Sequence, residues 1–124
     1  HVPWLDGGDS LSMVEFVDIY PTLCELCNLP IPKNQLDGKS FVPILKNHQA
    51  KVKNHLFVQW QGGFGIVTDR FNYAEWERPD GKKSTMLFDH EVDPLENENY
   101  SKKIRYRLWI KWLSKKVKRV MKQK

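Results

Sequence analysis

The chain has 124 residues, of which 40% are hydrophobic and 28% are charged. This length and composition fit one small folded domain, or a piece of a larger protein, and do not fit a disordered chain. No apolar run approaches the roughly 20 residues of a membrane-spanning helix, and no apolar segment behind a basic start resembles a signal peptide. Because the first residue is His1 and not Met, we expect a processed chain or a fragment.

The net charge of +5 by itself favours a partner with negative charge, such as nucleic acid or an anionic membrane. The charge is unevenly distributed, however. Residues 102–124 contain eleven Lys and Arg with no Asp or Glu, so residues 1–100 carry nine basic and fifteen acidic side chains. The body of the chain is therefore at −6 and its tail at +11. We expect no nucleic-acid partner, and any anionic partner would contact the tail.

Two short helical segments are predicted near the start of the chain. The first covers residues 18–27, with Asp18 as its N-terminal cap, and it ends near Asn28 because two prolines follow. A single helical turn is predicted for residues 40–45, with Ser40 as its cap. Both segments are short, so tertiary contacts must stabilise them.

The middle of the chain alternates apolar and polar residues with the period of a β-strand. Turn sequences such as Asp69-Arg70 and Pro79-Asp80-Gly81 separate the alternating segments. The pattern predicts an antiparallel sheet of three or four strands, built from residues 55–61, 64–68, 71–76 and 85–88.

From about residue 101 the chain is predicted to form one long helix, with cations on most positions outside an apolar stripe. We expect the stripe to pack on the sheet, which gives an α+β fold: a small antiparallel sheet, a short N-terminal helix and a long C-terminal amphipathic helix. Because neighbouring cations repel one another, contact of this helix with an anionic membrane surface or a polyanion is an alternative. The predicted stripe consists of Ile104, Leu108, Trp112, Leu113, Val117, Val120 and Met121.

Cys24 and Cys27 have the C-x-x-C spacing of redox and zinc sites. Both lie in the later part of an apolar segment, whereas a thioredoxin-like pair opens a helix, and the histidines show no paired spacing that would complete a zinc site. We therefore favour two structural cysteines. The acidic residues between Asp89 and Glu98 lack the glycine of a calcium-binding EF-hand loop, and they favour a solvated turn.

No phosphate-binding, serine-hydrolase or zinc-protease motif occurs. Four stretches of sequence resemble, in order, the C-terminal region of type I sulfatases, the arylsulfatase-like members of the alkaline phosphatase superfamily. Residues 14–26 (VEFVDIYPTLCEL) are similar to that family's V-E-L-V-D-L-Y-P-T-L-x-E-L helix. Further similar stretches are residues 29–45, which contain LPIP and LDGKSFVPIL, residues 65–73 (GIVTDRFNY) and residues 87–99, which contain LFDH and DPLENEN. The iduronate-2-sulfatase and choline-sulfatase-like groups look most similar.

The resemblance implies that residues 1–100 form the C-terminal subdomain of an enzyme that hydrolyses sulfate esters, followed by a basic helix at residues 101–124. Such enzymes use a formylglycine made from the Cys or Ser of C/S-x-P-x-R, together with a calcium ion. Neither Cys24 nor Cys27 is followed by that Pro and Arg. The resemblance therefore implies no catalytic residue and no metal ligand here, an N-terminal catalytic domain as partner, and no turnover by this segment alone. It also implies an extracytoplasmic location.

The region that approaches the substrate in several sulfatases corresponds to the short loop around Gln61. Val67 stands here where many relatives have Arg. If the chain contacts a sulfated sugar, the resemblance favours three residues at the edge of the sheet: Gln59, Trp60 and Gln61.

Overall fold

The computed structural model of the chain describes residue 3, residues 5–32 and residues 36–121. The chain forms two compact units, residues 1–54 and residues 55–124. Within the described residues, no helix is both long enough and apolar enough to cross a membrane. The predicted division into residues 1–100 and 101–124 stays a prediction.

The first unit contains a 3-10 turn, Phe16–Asp18, that leads directly into helix α1, Ile19–Leu26. Helix α2, Val42–Lys46, is shorter and has a proline in its first turn. Backbone N–H groups in the first turn have no partner within the helix, so the proline costs no helical hydrogen bond there. The buried side chains of these helices include Cys24, Val42 and Ile44. Gly38 is required next to the 3-10 turn, since a Cβ at this position would lie 1.9 Å from the Val17 carbonyl oxygen.

Asp18 is fully buried and joins three parts of the first unit. Its carboxylate accepts hydrogen bonds from the backbone N–H of Glu15 at 2.8 Å and of Lys39 at 2.7 Å, and it pairs with Lys53 Nζ at 2.6 Å. Burial raises the pKa of Asp18, but the bond from Lys53 and the two backbone bonds outweigh it and lower that pKa overall. Asp18 occupies the predicted N-cap position of α1, but its side chain makes no capping bond to this helix because these partners occupy it.

The second unit contains a four-stranded antiparallel sheet in the order β1-β2-β3-β4. Every strand connects to its neighbour by a hairpin, so the topology is the simplest meander. The sheet confirms the prediction from the alternating pattern. The strands are β1 Leu56–Trp60, β2 Gly63–Val67, β3 Phe71–Glu77 and β4 Lys83–Asp89.

Two tight turns fix the register of the first three strands. Gln61 and Gly62 join β1 to β2 with positive φ at both positions, 43° and 79°, which is the geometry that matches the twist of a two-residue hairpin. Asp69 and Arg70 join β2 to β3, where the Thr68 N–H donates to the Phe71 carbonyl at 2.8 Å. As a result Trp60 lies opposite Gly63, and Val67 lies opposite Asn72.

Helix α3, Arg107–Met121, covers one face of the sheet, which we call the inner face. Two 3-10 turns, Tyr100–Lys102 and Ile104–Tyr106, precede it, because Lys103 has extended backbone angles and interrupts the predicted continuous helix. The core joins residues of the sheet to Tyr106, Leu113 and Val117.

The first half of the predicted apolar stripe was wrong. Ile104 is 91% exposed and Leu108 is 80% exposed, so neither packs on the sheet. The row that packs on the sheet consists of Tyr106, the half-buried Ile110, Leu113 and Val117, at the spacings i, i+4, i+7 and i+11. Leu113 and Val117 belong to the second half of the predicted stripe. The sequence carries two overlapping apolar rows, and the contacts of Tyr106 select the second.

Those contacts form a buried polar anchor between the start of α3 and the end of the sheet. The Tyr106 hydroxyl donates to Asp89 Oδ2 at 2.9 Å, and Arg70 donates to both Asp89 oxygens at 3.0 and 2.9 Å. Burial raises the pKa of Asp89, but these bonds from Arg70 and Tyr106 outweigh it and lower the pKa overall. The Arg70 guanidinium also lies 4.8 Å from the Phe71 ring centre. The second unit is thus fixed by apolar packing and by one fully bonded carboxylate.

Candidate functional site

The face of the sheet opposite α3, which we call the outer face, has a shallow floor. Residues on this face come from alternate positions of each strand, and in β2 two of those positions are Gly63 and Gly65. A Cβ at Gly63 would lie 3.3 Å from the Cβ of Trp76, and a Cβ at Gly65 would lie 3.7 Å from that of Ala74. The middle of the outer face therefore has almost no side-chain volume.

Large side chains on the flanking strands make this floor into a groove. Trp60 and Val58 form one wall on β1, and Trp76 on β3 forms the other. Trp60 is 74% exposed and Val58 is 51% exposed. We call this cavity of about 480 Å³ the tryptophan groove; it is within the size range of ligand pockets. The exposed ring of Trp60 and the half-buried ring of Trp76, beside a flat floor, suit the apolar face of a sugar ring.

Polar side chains lie at the ends of the tryptophan groove. Gln61, in the turn after Trp60, lines one end, and Asn72 of β3 lines the other. The Asn72 side-chain amide donates to Glu96 Oε1 at 2.9 Å, and His90 Nε2 lies 2.7 Å from that same oxygen. The hydrogen bonds from His90 and Asn72 lower the pKa of Glu96, so its carboxylate is charged near neutrality. Asn72 is therefore held in place at this end of the groove.

Glu96 has a positive φ of 56°, a backbone conformation that is rare for a residue other than glycine. It belongs to the acidic segment that was predicted to be a solvated turn. Within that segment Asp93 accepts bonds from the side chain of Asn97 at 2.9 Å and from the backbone of Glu98 at 2.8 Å. These bonds lower the pKa of Asp93, and the bond from the Glu98 backbone has the largest effect. The turn is thus stabilised by hydrogen bonds to a carboxylate within the segment itself.

The structure brings together two of the three residues that the sequence predicted for substrate contact. Trp60 and Gln61 both line the tryptophan groove. Gln59 alternates to the inner face of β1, where it lies in a small cleft beside Val117 and Met121 of α3. Their role in binding stays a prediction, and Gln59 lies outside the groove in which the other two meet.

Sequence reasoning did not find Trp76 or Asn72. Both lie on β3, and they reach the groove only because the β2–β3 register places Gly65 opposite Ala74. The spacing of Asn72, Ala74 and Trp76 at every second position was the available signal, because it places all three on one face.

The described residues contain no group of three His, Cys, Asp or Glu side chains that could hold a metal ion. Cys24 is buried within α1 and Cys27 is exposed at its C-terminal cap, and neither forms a disulfide. A redox pair of the thioredoxin kind lies at the start of a helix, so this position does not match it.

The family model for the C-terminal region of N-sulphoglucosamine sulphohydrolase matches residues 5–123, which is nearly the whole chain and includes α3. The chain belongs to this sulfatase family. The predicted resemblance to the C-terminal region of sulfatases is thereby confirmed.

Individual relatives are also sulfatases. A Delta 4,5-hexuronate-2-O-sulfatase of Bacteroides thetaiotaomicron is 29% identical over 108 residues, which cover 79% of this chain and 21% of the relative. Arylsulfatase K of Bos taurus is 32% identical over 126 residues, covering 83% of this chain and 22% of the relative. The sulfatase-family chain thus spans about a fifth of the length of these curated relatives.

The fold recurs in solved structures. A protein in complex with its substrate D-glucosamine-2-N,6-O-disulfate superposes with a TM-score of 0.70 at 21% identity, covering 86% of this chain and 23% of that one. At this identity the similarity shows the fold alone. It confirms the predicted α+β arrangement of a small antiparallel sheet with a C-terminal helix.

Proposed function

We propose that this chain completes the fold and the substrate cleft of a sulfatase that hydrolyses the sulfate ester of a sugar. Its contribution is to bind and orient the sugar in the tryptophan groove. The family match supports the sulfatase class. The observation that carries the sugar contact is the glycine floor of β2 between the exposed Trp60 and the opposing Trp76.

A sugar ring has an apolar face of C–H groups and a rim of hydroxyls. The Trp60 indole is 74% exposed, so its aromatic face is accessible to a sugar without a rearrangement of the protein core. Gln61 and Asn72 offer amide donors and acceptors for the hydroxyl rim. The groove therefore matches both parts of a sugar and does not depend on the sulfate group for affinity.

The chemical step belongs to another part of the enzyme in this proposal. A sulfatase of the resembled type needs a formylglycine nucleophile and a calcium ion, which supply the attack on sulfur and the neutralisation of the sulfate charge. The residues described here do not fit either group: Cys24 and Cys27 lack the flanking Pro and Arg, and no three ligand side chains of the described chain meet. We assign both to an N-terminal catalytic domain, which is the partner of this chain.

The test is ligand binding to the chain, read by tryptophan fluorescence and by NMR shifts of the Trp60 and Trp76 indole N–H groups. The probes are D-glucosamine-2-N,6-O-disulfate and unsulfated glucosamine. We expect Trp60→Ala to weaken binding of either sugar at least tenfold, because the stacking surface is lost. Leu95→Ala is the matched control, since Leu95 is 83% exposed and lies outside the groove.

Shifts confined to Trp60 and Trp76, and lost in Trp60→Ala, support the proposal. Equal binding by Trp60→Ala and the wild type overturns the sugar contact. In a parallel assay with an aryl sulfate and calcium, turnover by the chain alone would overturn the assignment of the chemistry to another domain.

A further inference from the structure

Helix α3 carries a straight row of polar side chains along the border of the inner face. Arg107, Lys111, Ser114 and Lys118 follow one another at i, i+4, i+7 and i+11, the spacing that places residues on one side of a helix. With a rise of 1.5 Å per residue, the row is about 16 Å long. Its three cations are exposed.

This row forms one wall of a groove whose other wall is the edge strand β4. Lys83 and Thr85 project from β4 toward it, so a fourth cation faces the row from the sheet. The space between the walls is about 630 Å³. We call it the cationic groove; it is on the inner face, and the tryptophan groove is on the outer face of the same sheet.

None of the four cations has a carboxylate partner among the residues that the structure describes. Other cations of the second unit do, for example Lys103, whose Nζ lies 2.7 Å from Glu98 Oε1. Lys83 faces Glu77 across the β3–β4 pair without forming an ion pair. The cationic groove thus holds the unpaired basic groups Lys83, Arg107, Lys111 and Lys118.

Glu75 is the carboxylate that lines this groove, and it is bonded to the protein. Its Oε2 accepts the Tyr73 hydroxyl at 2.7 Å and the Ser114 hydroxyl at 2.6 Å. Burial, followed by the bond to Glu75, raises the pKa of Tyr73, so this hydroxyl stays protonated and keeps donating. Four cations and one carboxylate line the groove, and Glu77 lies opposite Lys83 at one end of it, so positive charge remains in excess.

Like charges at i and i+4 destabilise a helix, and α3 has no acidic residue to offset them. A linear polyanion removes that cost, because its charges can follow the row. We propose that the cationic groove binds a segment of a sulfated polysaccharide through several of its sulfate groups. The sulfated class rests on the function proposed above. The groove would hold the polymer away from the tryptophan groove, as a second contact with the same substrate chain.

The shape of the groove favours a polymer over a membrane. The cations are part of the two facing walls, and a single extended chain can lie between them. A flat bilayer surface would attract exposed cations of α3 whether or not they line the groove, including Lys115 and Arg119. A polymer in the groove would instead contact the row of α3 together with Lys83 on β4.

The test compares two double variants of the chain with the same loss of charge on the same helix. Lys111→Gln with Lys118→Gln removes two charges from the groove, and Lys115→Gln with Arg119→Gln removes two exposed charges outside it. Binding of a heparin oligosaccharide is measured by calorimetry in about 0.1 M salt, where the Debye length is about 10 Å. Circular dichroism checks that both variants keep the helix.

We expect the groove variant to raise the Kd for heparin about tenfold, equal to about 1.4 kcal/mol, and the control variant to raise it less than threefold. Hyaluronan, which carries carboxylates without sulfates, should bind the wild type at least tenfold more weakly than heparin. Equal losses in the two variants would mean attraction to net charge alone and would overturn the proposal. Binding to phosphatidylserine vesicles without binding to heparin would overturn it as well.

The monosaccharide assay of the tryptophan groove separates this proposal from the previous one. Lys111→Gln with Lys118→Gln should leave glucosamine binding unchanged, and Trp60→Ala should leave most heparin binding in place. Loss of heparin binding in Trp60→Ala but not in the groove variant would place the polymer on the outer face and overturn the cationic groove.

Discussion

At the scale of single residues, Gly65 decides whether the outer face has a groove. A side chain added at this position would begin with a Cβ 3.8 Å from the Cβ of Val58 and 3.1 Å from the Tyr73 carbonyl oxygen. A larger residue would therefore occupy the floor between the two tryptophans. Glycine inside a strand costs conformational entropy, so its use here at the centre of a sheet favours a requirement for open space.

We expect Gly65→Val to abolish sugar binding in the fluorescence assay while the sheet still folds. The tight contact with the Tyr73 carbonyl should lower the free energy of unfolding by about 1 to 3 kcal/mol, as is usual for overpacking. Gly62→Ala is the control, since a Cβ at Gly62 meets nothing within 4 Å and its strain comes from its positive φ of 79°. If Gly65→Val folds and still binds glucosamine with the wild-type Kd, the floor of this groove is not where the sugar lies.

At the scale of the elements, α3 shows which apolar row a helix uses when its sequence contains two. The row that begins at Ile104 and Leu108 is exposed, and the row through Leu113 and Val117 is buried. Tyr106 shifts the choice, because its ring packs against Phe71 and its hydroxyl donates to the buried Asp89. The extended Lys103 then lets the helix begin after this anchor.

Leu113→Ala should lower the free energy of unfolding by about 3 kcal/mol, because Leu113 is fully buried and its removal leaves a cavity. Leu108→Ala, an equal truncation on the same helix at an 80% exposed position, should change it by less than about 0.5 kcal/mol. Urea denaturation followed by circular dichroism measures both. The reverse order of effects would mean that the first half of the predicted stripe, at Ile104 and Leu108, is the part that packs on the sheet.

Features that depend on neighbouring residues could be predicted from the sequence, and features that depend on distant residues could not. The strands were predictable because their alternation is local and each turn has its own signature, as at Asp69-Arg70. The role of Asp18 was not, because its partner Lys53 lies 35 residues away and only the folded unit brings them together. The resemblance named Trp60 and Gln61, and both line the tryptophan groove, but their role in binding stays a prediction. Trp76 required the register of three strands.

At the scale of the whole molecule, each compact unit contains one fully buried carboxylate. Asp18 in the first unit is bonded to Lys53, and Asp89 in the second is bonded to Arg70 and Tyr106. In both cases burial raises the pKa, and these bonds lower it further than burial raises it. The two units therefore depend on ionised aspartates at their centres.

The sign of the pH dependence follows from those lowered pKa values. An aspartate whose folded pKa lies below its unfolded value of about 3.9 stabilises the protein above that value, and the stabilisation is lost as the pH falls through the folded pKa. We expect the free energy of unfolding to stay level between about pH 7 and pH 5 and to fall below about pH 4. Urea denaturation at a series of pH values, with hydrogen exchange to follow each unit, measures this profile.

Asp89→Asn tests how much the charge of Asp89 contributes to stability, because asparagine has nearly the same shape as aspartate but no charge. The amide cannot pair with Arg70 as a carboxylate does, so at pH 7 the variant should lose roughly 2 to 3 kcal/mol, less than for a fully buried ion pair because Arg70 is partly exposed. As the pH falls below the unfolded value of about 3.9 toward the lowered folded pKa of Asp89, the wild type loses the stability that this charge contributes. The two proteins should therefore become more similar in stability in the second unit. An unchanged gap between them at pH 3 and pH 7 would show that Asp89 acts through packing and not through its charge. The profile of the first unit, which depends on Asp18, should be the same in both proteins.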